Sequence, residues 1–541
     1  MNNIKDKLAL MAPSLVFGEG EPLTVTVPAG QFRDVAKSLR DDPQMRFDLL
    51  LCMTGMDWGE TLGVVYHLRS TELGHEIVLR TETADRENPE LQSVYDLWES
   101  ANLNEREVYD FFGIRFIGHP DMRRLYLRND WVGYPFRKDY NASPDVNPVR
   151  LDSDETLDTA PAYELKDGKV EKHENVLFEN DEYVVNIGPQ HPATHGVLRF
   201  RVSLAGETVQ KVDVHCGYIH RGIEKMCESL TYPQTLALTD RLDYLSAHQN
   251  RHALCMCIEQ AMGIEIPERV QYIRTIMDEL NRLSSHLLFW STLCMDLGAL
   301  TAFFYGFRDR EIVLDMMEET TGGRLIQNYN MIGGVAADIH PNLVKRVKDF
   351  IKYLPKMLDE YDEVFTGNVI AQQRLKGIGI LPKEVAVSYG VTGPSGRASG
   401  WSCDVRKLKP YGVYDKVQFD EVIRTGGDSF DRYLVRVDEI RQSLHILEQL
   451  IDNIPAGDYA VKTKPIIRLP EGQFFSSVEA SRGEFGVYIE SRGDKYPYRM
   501  KFRSPCLPLV SVVDHLSRGY KIADLIAIGG SLDYVVPDVD R

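Results

Sequence analysis

An acidic, proline-containing segment most constrains how this chain can fold. Residues 141–178 hold three prolines and many acidic residues, and their apolar residues follow no helical or strand period. A connection of this length fits poorly inside one compact domain, so we predict an interdomain linker there. The 541 residues then divide into a first domain at 1–140 and a second at 179–541.

The composition excludes several classes of protein. Apolar residues make up 43% of the chain, enough for substantial cores, and charged residues make up 26%, too many for a membrane protein. The net charge of −18 disfavours binding to nucleic acid or anionic lipid, because both select basic surfaces. Charged residues interrupt the start of the chain, where a secretory signal would have a long apolar core. We therefore expect a protein of the cytosolic side.

The cysteines predict neither a disulfide framework nor a cluster site. The chain has eight of them and no C-x-x-C pair. Scattered cysteines are typical of reduced, buried thiols. Because iron–sulfur clusters need several thiolates, we expect no cluster bound by this chain itself.

Short strands and helices alternate in the first domain. The patterns of residues 23–28, 62–70 and 75–84 predict strands. Residues 94–114 are predicted to form a helix, a turn and a second helix. The first domain is therefore predicted to be α/β.

Helices dominate the second domain after a small β portion. Residues 184–188 and 197–218 are predicted strands, and residues 429–455 carry one apolar stripe at helical spacing. Pro267 opens a further helix, whereas Pro355 is expected to interrupt another. The second domain is therefore predicted to be mainly α.

One apolar stretch allows two interpretations. Residues 284–307 are long enough to span a bilayer, and Asp296 is their only formal charge. A carboxylate near the middle of a span costs about 2.5–3.5 kcal/mol on insertion scales. This cost favours a buried helix of a large core.

Two histidines lie in a turn bounded by glycine and proline. His191 and His195 separate two predicted strands within NIGPQHPATHGVLRFRV. An imidazole in such a turn can donate a hydrogen bond to a carbonyl and transfer a proton near neutral pH. The alternative is a pair of histidines bonded to nearby backbone.

Three further side chains are candidates for chemistry. Arg221, within HCGYIHRGIEK, can place a fixed positive charge beside a redox centre or can belong to a solvated turn. Tyr244, on a predicted helical segment, offers one hydroxyl donor, although a core tyrosine is the usual case. Asp296 needs a partner if it is buried, and a histidine would suit it. The sequence has no phosphate loop, dinucleotide fingerprint or nucleophile elbow, so nothing indicates that the chain itself binds NAD.

Several motifs follow one another in a characteristic order. From residue 184 onward the sequence contains GPQHPATHGVLR, GYIHRGIEK, RLDYL, MDLGALTAFF, GVTGPSGRASG, EASRGEFGVYI and SLDYVVPDVDR. This series resembles the D subunit, the 49 kDa-type subunit, of the proton-pumping NADH:quinone oxidoreductase, complex I. Residues 104–140 resemble the signature of its C subunit, the 30 kDa-type subunit. The resemblance implies that the two subunits are fused in this chain.

The resemblance implies a fold for the second domain. It would be the fold of a nickel–iron hydrogenase large subunit that has lost its metal. Where a hydrogenase has two C-x-x-C pairs, this chain has HCGYI at 215–219 and DYVVP at 533–537. We therefore expect no nickel.

The resemblance also implies roles for single residues. His195 and Tyr244 match the pair that binds the quinone headgroup, and His191 lies in the same turn. Asp296 matches the aspartate that pairs with this histidine. Arg221 matches the arginine beside the terminal 4Fe–4S cluster, which the neighbouring B subunit holds. The implied activity is electron transfer from NADH or another donor to quinone, coupled to proton translocation.

The implied partners make a hetero-oligomer. They are the B and I subunits, other peripheral-arm subunits, and the membrane-arm H subunit at the quinone channel. The implied location is the cytoplasmic face of the bacterial inner membrane. One alternative is a quinone-reducing or scaffold subunit of a related ferredoxin-fed membrane complex. A hydrogenase-like enzyme would require thiolates that the sequence lacks.

Two positions depart from the family pattern. Many family members have a histidine at the position of Ile326 and an arginine near Met331. In the family that histidine couples the potential of the terminal cluster to pH. We therefore predict a lower and less pH-dependent cluster potential, consistent with a menaquinone-type acceptor.

Overall fold

The computed structural model of the chain describes residues 2–18, 20–141, 158–179, 181–190 and 196–541. We call residues 2–141 the N-terminal part and residues 181–541 the C-terminal part.

The N-terminal part is built on a five-stranded sheet in the order β1-β2-β5-β4-β3. Its strands are β1 (Val16–Phe17), β2 (Leu23–Thr26), β3 (Leu49–Asp57), β4 (Leu62–Arg69) and β5 (Glu76–Thr83), followed by the pair β6 (Glu90–Gln92) and β7 (Arg115–Ile117). Its helices are α1 (Asn2–Met11), α2 (Phe32–Asp41) and α3 (Ala101–Phe112). β2 and β5 are parallel, and the other neighbours in the sheet are antiparallel. The three strands predicted here are confirmed.

The region predicted as two helices contains one. Only α3 is helical there, and residues 94–100 form turns instead. The buried carboxylate of Glu105 explains the difference, because it accepts hydrogen bonds from the Ser93 hydroxyl at 2.6 Å and from the Val94 backbone N–H at 2.9 Å. These bonds hold the chain in a bend before the helix begins.

Part of the segment predicted to be an interdomain linker, residues 141–178, has regular secondary structure. Residues 158–178 include an antiparallel hairpin of β8 (Thr159–Lys166) and β9 (Lys169–Val176). The hairpin packs on the N-terminal part, where the Gly118 N–H donates to the Tyr163 carbonyl at 2.8 Å. The hairpin went unrecognised because apolar and polar residues do not alternate clearly along either of its strands.

The C-terminal part has two three-stranded antiparallel sheets and a large set of helices. Its strands are β10 (Tyr183–Ile187), β11 (Arg199–Ala205), β12 (Thr208–His215), β13 (Asn330–Met331), β14 (Gly334–Val335), β15 (Gly472–Ala480), β16 (Gly483–Ser491) and β17 (Arg499–Arg503). Its helices are α4 (Ile223–Cys227), α5 (Tyr232–Thr239), α6 (Ala247–Met262), α7 (Glu268–Asp296), α8 (Leu300–Thr321), α9 (Leu343–Tyr361), α10 (Val369–Leu375), α11 (Lys383–Tyr389), α12 (Gly393–Ala398), α13 (Val405–Leu408), α14 (Ser429–Leu450), α15 (Cys506–Ser511), α16 (Val513–Ser517), α17 (Ile522–Leu532) and α18 (Val536–Asp540). The predicted strands, the helix after Pro267 and the helix from residue 429 are confirmed.

Two helix boundaries matter for the apolar stretch and for Pro355. The stretch at 284–307 is divided, because α7 ends at Asp296 and Gly298 adopts a positive φ of 84° before α8 begins. Among the described residues, no helix is long and apolar enough to cross a membrane. The prediction that Pro355 interrupts a helix was wrong, since α9 continues through it. Pro355 is exposed, so its ring faces solvent rather than a neighbouring helix.

One hydrophobic core joins the two parts of the chain. Its buried residues include Leu51 and Phe111 from the N-terminal part and Leu507 and Val536 from the C-terminal part. Separating the two parts would expose apolar side chains of both to water, which is unfavourable. The two parts therefore form one packed body around the candidate site.

Candidate functional site

Tyr244 lies in the turn between α5 and α6 rather than on a helix. The turn is held by Asp243, whose carboxylate accepts from the Leu245 N–H at 3.0 Å and whose carbonyl accepts from the Asn250 side chain at 3.1 Å. The Tyr244 ring is half-buried. Burial raises the pKa of its hydroxyl, while the positive charge of Arg482 acts in the opposite direction. The hydroxyl is thus available as a neutral hydrogen-bond donor near pH 7.

A fully buried arginine connects this turn to two other segments. Arg482 stands in the turn between β15 and β16 and has 0% exposure. Its Nη1 donates to Oδ2 of Asp243 at 3.1 Å and to the hydroxyl of Ser285 on α7 at 2.8 Å. Its Nε and Nη2 donate to the carbonyl and Oδ1 of Asp533 at 2.8 and 3.0 Å. Segments far apart in sequence therefore meet beside Tyr244.

Asp296 and Tyr534 lie on the same side of the molecule. Asp296 is the last residue of α7 and is half-buried. Tyr534 follows Asp533, and the pKa of its hydroxyl is raised by burial and further by the negative charge of Asp296. The structure thus brings Asp296 close to the segment that Arg482 ties to Tyr244.

The two candidate histidines, His191 and His195, lie outside the described residues. The glycine that follows them, Gly196, contacts α18, because a Cβ added there would lie 2.4 Å from Cγ2 of Val536. Gly196 therefore lies against Val536, two residues beyond Tyr534.

Arg221 lies just before α4, in a loop that packs on the end of the chain. The N–H groups of Gly217 and Ile219 donate to the Asp540 carboxylate at 2.9 and 3.0 Å. Burial raises the pKa of Asp540 to about 6, against the opposing effect of these two bonds. Arg221 is exposed and donates to the carbonyl of Arg241 at 2.8 Å. The Arg221 guanidinium is therefore held by the backbone at Arg241, three residues before Tyr244.

Sequence reasoning missed the side chains that assemble the site. They are Arg482, Asp533 and Cys506, whose Sγ accepts from the Val535 N–H at 3.3 Å. Their motifs are visible in the sequence, yet no spacing predicts contacts between segments so far apart. In the part of the chain that the structure describes, no group of three or more histidines, cysteines and acids suits a metal ion.

Comparisons with known proteins decide the family. The family model of the respiratory-chain NADH dehydrogenase 30 Kd subunit matches residues 25–146, and that of the 49 Kd subunit matches residues 296–468 and 464–541. The C/D subunit of NADH-quinone oxidoreductase from Phocaeicola vulgatus is 66% identical over 519 residues, which cover 96% of this chain and 99% of that protein. The chain belongs to the family of fused C/D subunits of NADH-quinone oxidoreductase.

Other relatives of this family agree. The C/D subunit from Bacteroides fragilis is 67% identical over 515 residues, covering 93% of this chain and 97% of that protein. The D subunit of NADH-quinone oxidoreductase from Geobacillus kaustophilus is 44% identical over 366 residues, covering 68% of this chain and all of that protein. A separate D subunit thus matches only part of this chain. The expected fusion and membership of a multi-subunit oxidoreductase are confirmed.

Proposed function

We propose that this subunit forms the site at which a quinone headgroup is reduced within the complex. Tyr244 and His195 would each donate a hydrogen bond to one quinone carbonyl, and Asp296 would pair with His195. One observation carries the proposal: Arg482 ties the Tyr244 turn to the C-terminal segment, whose Tyr534 lies within the field of Asp296. These contacts support a site in which the Tyr244 turn, the C-terminal segment and the end of α7 lie near one another.

The chemistry of this arrangement suits a two-electron acceptor. Reduction of a quinone to a quinol takes up two protons, and donors already bonded to its oxygens can supply them. A neutral phenol such as Tyr244 serves as a donor when its pKa is not pushed too high. The charge of Arg482 opposes the rise that burial causes in the Tyr244 pKa. Reprotonation of the donors would then couple reduction to proton translocation.

Arg221 would face the electron donor. The donor in this proposal is the terminal 4Fe–4S cluster of the B subunit, supplied with electrons from NADH or another source. The exposed guanidinium of Arg221 adds fixed positive charge, which stabilises the reduced form of a nearby redox centre. No cluster and no nickel would be bound by this chain.

A hydrogenase-like fold is proposed for the C-terminal part. In support, the loop at 215–219 and the end of the chain lie against each other through the bonds from Gly217 and Ile219 to Asp540. Cys216 and Cys506 lie in this region, and burial raises the pKa of both thiols well above the usual value. Buried neutral thiols are poor metal ligands.

The proposal extends to domains, partners and location. Residues 1–140 and 179–541 would be the domains related to the C and D subunits, joined through 141–178. The B and I subunits would contact the chain in the peripheral arm, and the membrane-arm H subunit would continue the quinone channel. The chain would lie at the cytoplasmic face of the bacterial inner membrane. A ferredoxin-fed relative of the complex would keep the same quinone site, because the primary donor binds other subunits.

The test is electron transfer in membranes that carry Tyr244→Phe in the assembled complex. Cluster reduction and reduction of a short-chain quinone are followed separately. We expect clusters to reduce normally while quinone reduction falls about tenfold or more, the ratio for one lost donor to a reacting oxygen. Tyr353→Phe is the matched control, since Tyr353 is also half-buried but lies on α9 and donates to Asp309 at 2.8 Å. Unchanged quinone reduction in an assembled Tyr244→Phe complex would refute the site.

A further inference from the structure

We infer that Arg482 is a positioning residue for quinone reduction, because it holds the Tyr244 turn in a fixed position relative to the C-terminal segment at Asp533. This inference rests on the proposed quinone site and adds a residue to it. Arg482 touches neither the proposed quinone nor the reacting atoms. It acts through Asp243, Ser285 and Asp533, which belong to three different segments.

The geometry requires the fork of a guanidinium. Four hydrogen bonds leave Arg482 in three directions, with donor–acceptor distances of 2.8, 2.8, 3.0 and 3.1 Å. Two of them reach the backbone and side chain of Asp533, the residue before Tyr534. One reaches Asp243, the residue before Tyr244. A lysine carries the same charge but only one nitrogen, so it cannot span these partners.

The backbone that carries Arg482 is itself firmly held. The turn between β15 and β16 lies against Gly393, where an added Cβ would come within 2.4 Å of the Cα of Gly483. On the other side, the N–H and hydroxyl of Ser481 both donate to Oε1 of Gln249 on α6 at 3.1 Å. Because the backbone at Arg482 is held in place, its guanidinium can fix the positions of Asp243 and Asp533. An arginine on a mobile loop could not do so.

Two carboxylates and a second cation lie around Arg482, and several of these charges affect the pKa of Tyr244. Asp243 and Asp533 face two cations, Arg482 and Arg436, whose Nε lies 3.6 Å from Oδ2 of Asp533. Burial raises the pKa of Tyr244 most, and Arg482 lowers it. The two carboxylates raise this pKa further, and the more weakly acting Arg310 on α8 lowers it. Without Arg482, both carboxylates would act on the Tyr244 hydroxyl with less opposing charge. The phenol would then be a weaker acid and a poorer proton donor.

Two substitutions separate geometry from charge. Arg482→Lys keeps the charge and loses the fork, and Arg482→Gln loses both. Each is made in the full complex, and the KM and kcat for a short-chain quinone are measured together with cluster reduction. Arg406→Lys is the matched control, because Arg406 is also buried and bonds two carboxylates, Asp404 and Glu279, that are not partners of Arg482.

We expect Arg482→Lys to raise the KM about tenfold, the ratio for one well-aligned charged hydrogen bond. Cluster reduction should stay normal, and the control should keep the wild-type KM. In Arg482→Gln the alkaline limb of the pH profile should also move to higher pH, because the Tyr244 phenol holds its proton longer. Arg482→Lys should leave that limb in place.

The inference is overturned if Tyr244→Phe impairs quinone reduction while both Arg482 variants keep a KM within about twofold of wild type. It is equally overturned if Arg482→Lys and Arg406→Lys lower kcat alike without changing KM, because that outcome is general destabilisation. An unaffected Tyr244→Phe complex would remove the quinone site and the inference with it. If Arg482→Lys fails to assemble, Ser285→Ala decides, since it removes one of the four bonds and should raise the KM about twofold to threefold. An unchanged KM in Ser285→Ala would then overturn the inference.

Discussion

The buried ion pair between Arg69 and Glu484 should be a main link between the two parts of the chain. The pair is bidentate, with Nη1–Oε2 and Nη2–Oε1 distances of 2.7 and 2.8 Å. The Glu484 side chain is fully buried. Burial alone would raise the pKa of this carboxyl, but Arg69 outweighs it and lowers the pKa from 4.5 to about 2. We predict that Glu484→Gln destabilises the chain.

The pKa shift sets the expected magnitude. A fall of the Glu484 pKa from 4.5 to about 2 corresponds to ~3 kcal/mol of stability at neutral pH. This agrees with the ~3–5 kcal/mol typical of removing one partner from a buried pair. Because the folded pKa of Glu484 is depressed, its contribution is fully present above the unfolded pKa of about 4.3. It is lost as the pH falls toward the folded value of about 2.

The assay is urea denaturation of wild type and Glu484→Gln from pH 7 down to pH 2. The difference in unfolding free energy should be ~3 kcal/mol at pH 7 and should shrink steadily below about pH 5. Glu384→Gln is the matched control, because Glu384 is exposed and should change stability by less than ~0.5 kcal/mol. A difference below ~1 kcal/mol at pH 7, or one that persists unchanged to pH 2, would show that the pair does not hold the two parts together.

Three further outcomes are expected. Gly217→Ala should cost more than ~2 kcal/mol of unfolding free energy, because its added Cβ would lie 2.1 Å from the Tyr126 carbonyl at a φ of +99°. Gly206→Ala, at a φ of +65° in open space, should cost only ~1 kcal/mol, and equal costs in urea denaturation would contradict the packing argument. Burial lowers the pKa of His67 to about 4, so NMR titration should find its ring neutral at pH 6. The contribution of His67 to stability should decline as the pH falls from about 6.5 toward 4. A ring that titrates near 6.5 would disprove this. Redox titration in membranes should give a terminal-cluster potential that changes by much less than about 59 mV per pH unit. Ile326→His should make this potential more dependent on pH. A wild-type slope of one proton per electron would refute the prediction.

Local patterns predicted most strands and helices but not the hairpin at 159–176. In β8 the buried positions are Ala160 and Ala162, and the alternate positions hold Thr159, Pro161, Tyr163 and Leu165. Small alanines that alternate with larger and partly apolar residues give no visible apolar stripe. The prediction for Pro355 was wrong for a different reason. A proline on an exposed helix face removes one backbone hydrogen bond without ending the helix.

The sequence suggested the candidate residues one by one, but it did not suggest the contacts between the segments that carry them. Tyr244, Asp296 and Arg221 lie in motifs that mark them individually. The guanidinium of Arg482 ties the Tyr244 turn to the C-terminal segment, and it bonds Asp243 across 239 positions of sequence. Helical and strand periods relate only near neighbours, so no periodic signal reports such a contact. Motif order can suggest that distant segments share a site, but it cannot name the side chain that holds them together.

The composition was also misleading about where the charges lie. A chain with 26% charged residues would ordinarily place nearly all of them on its surface. Here the apolar spacing of α7 predicted a buried helix correctly, yet Asp278, Arg282 and Ser285 are buried on the same helix. Buried charges need partners, and Asp278 accepts from the rings of His248 and His252 at 2.8 and 2.7 Å. Replacing such a pair by well-packed apolar residues is often neutral for stability, whereas removing one partner is costly. The two bonds from Asp278 hold α7 against α6, the helix that follows the Tyr244 turn.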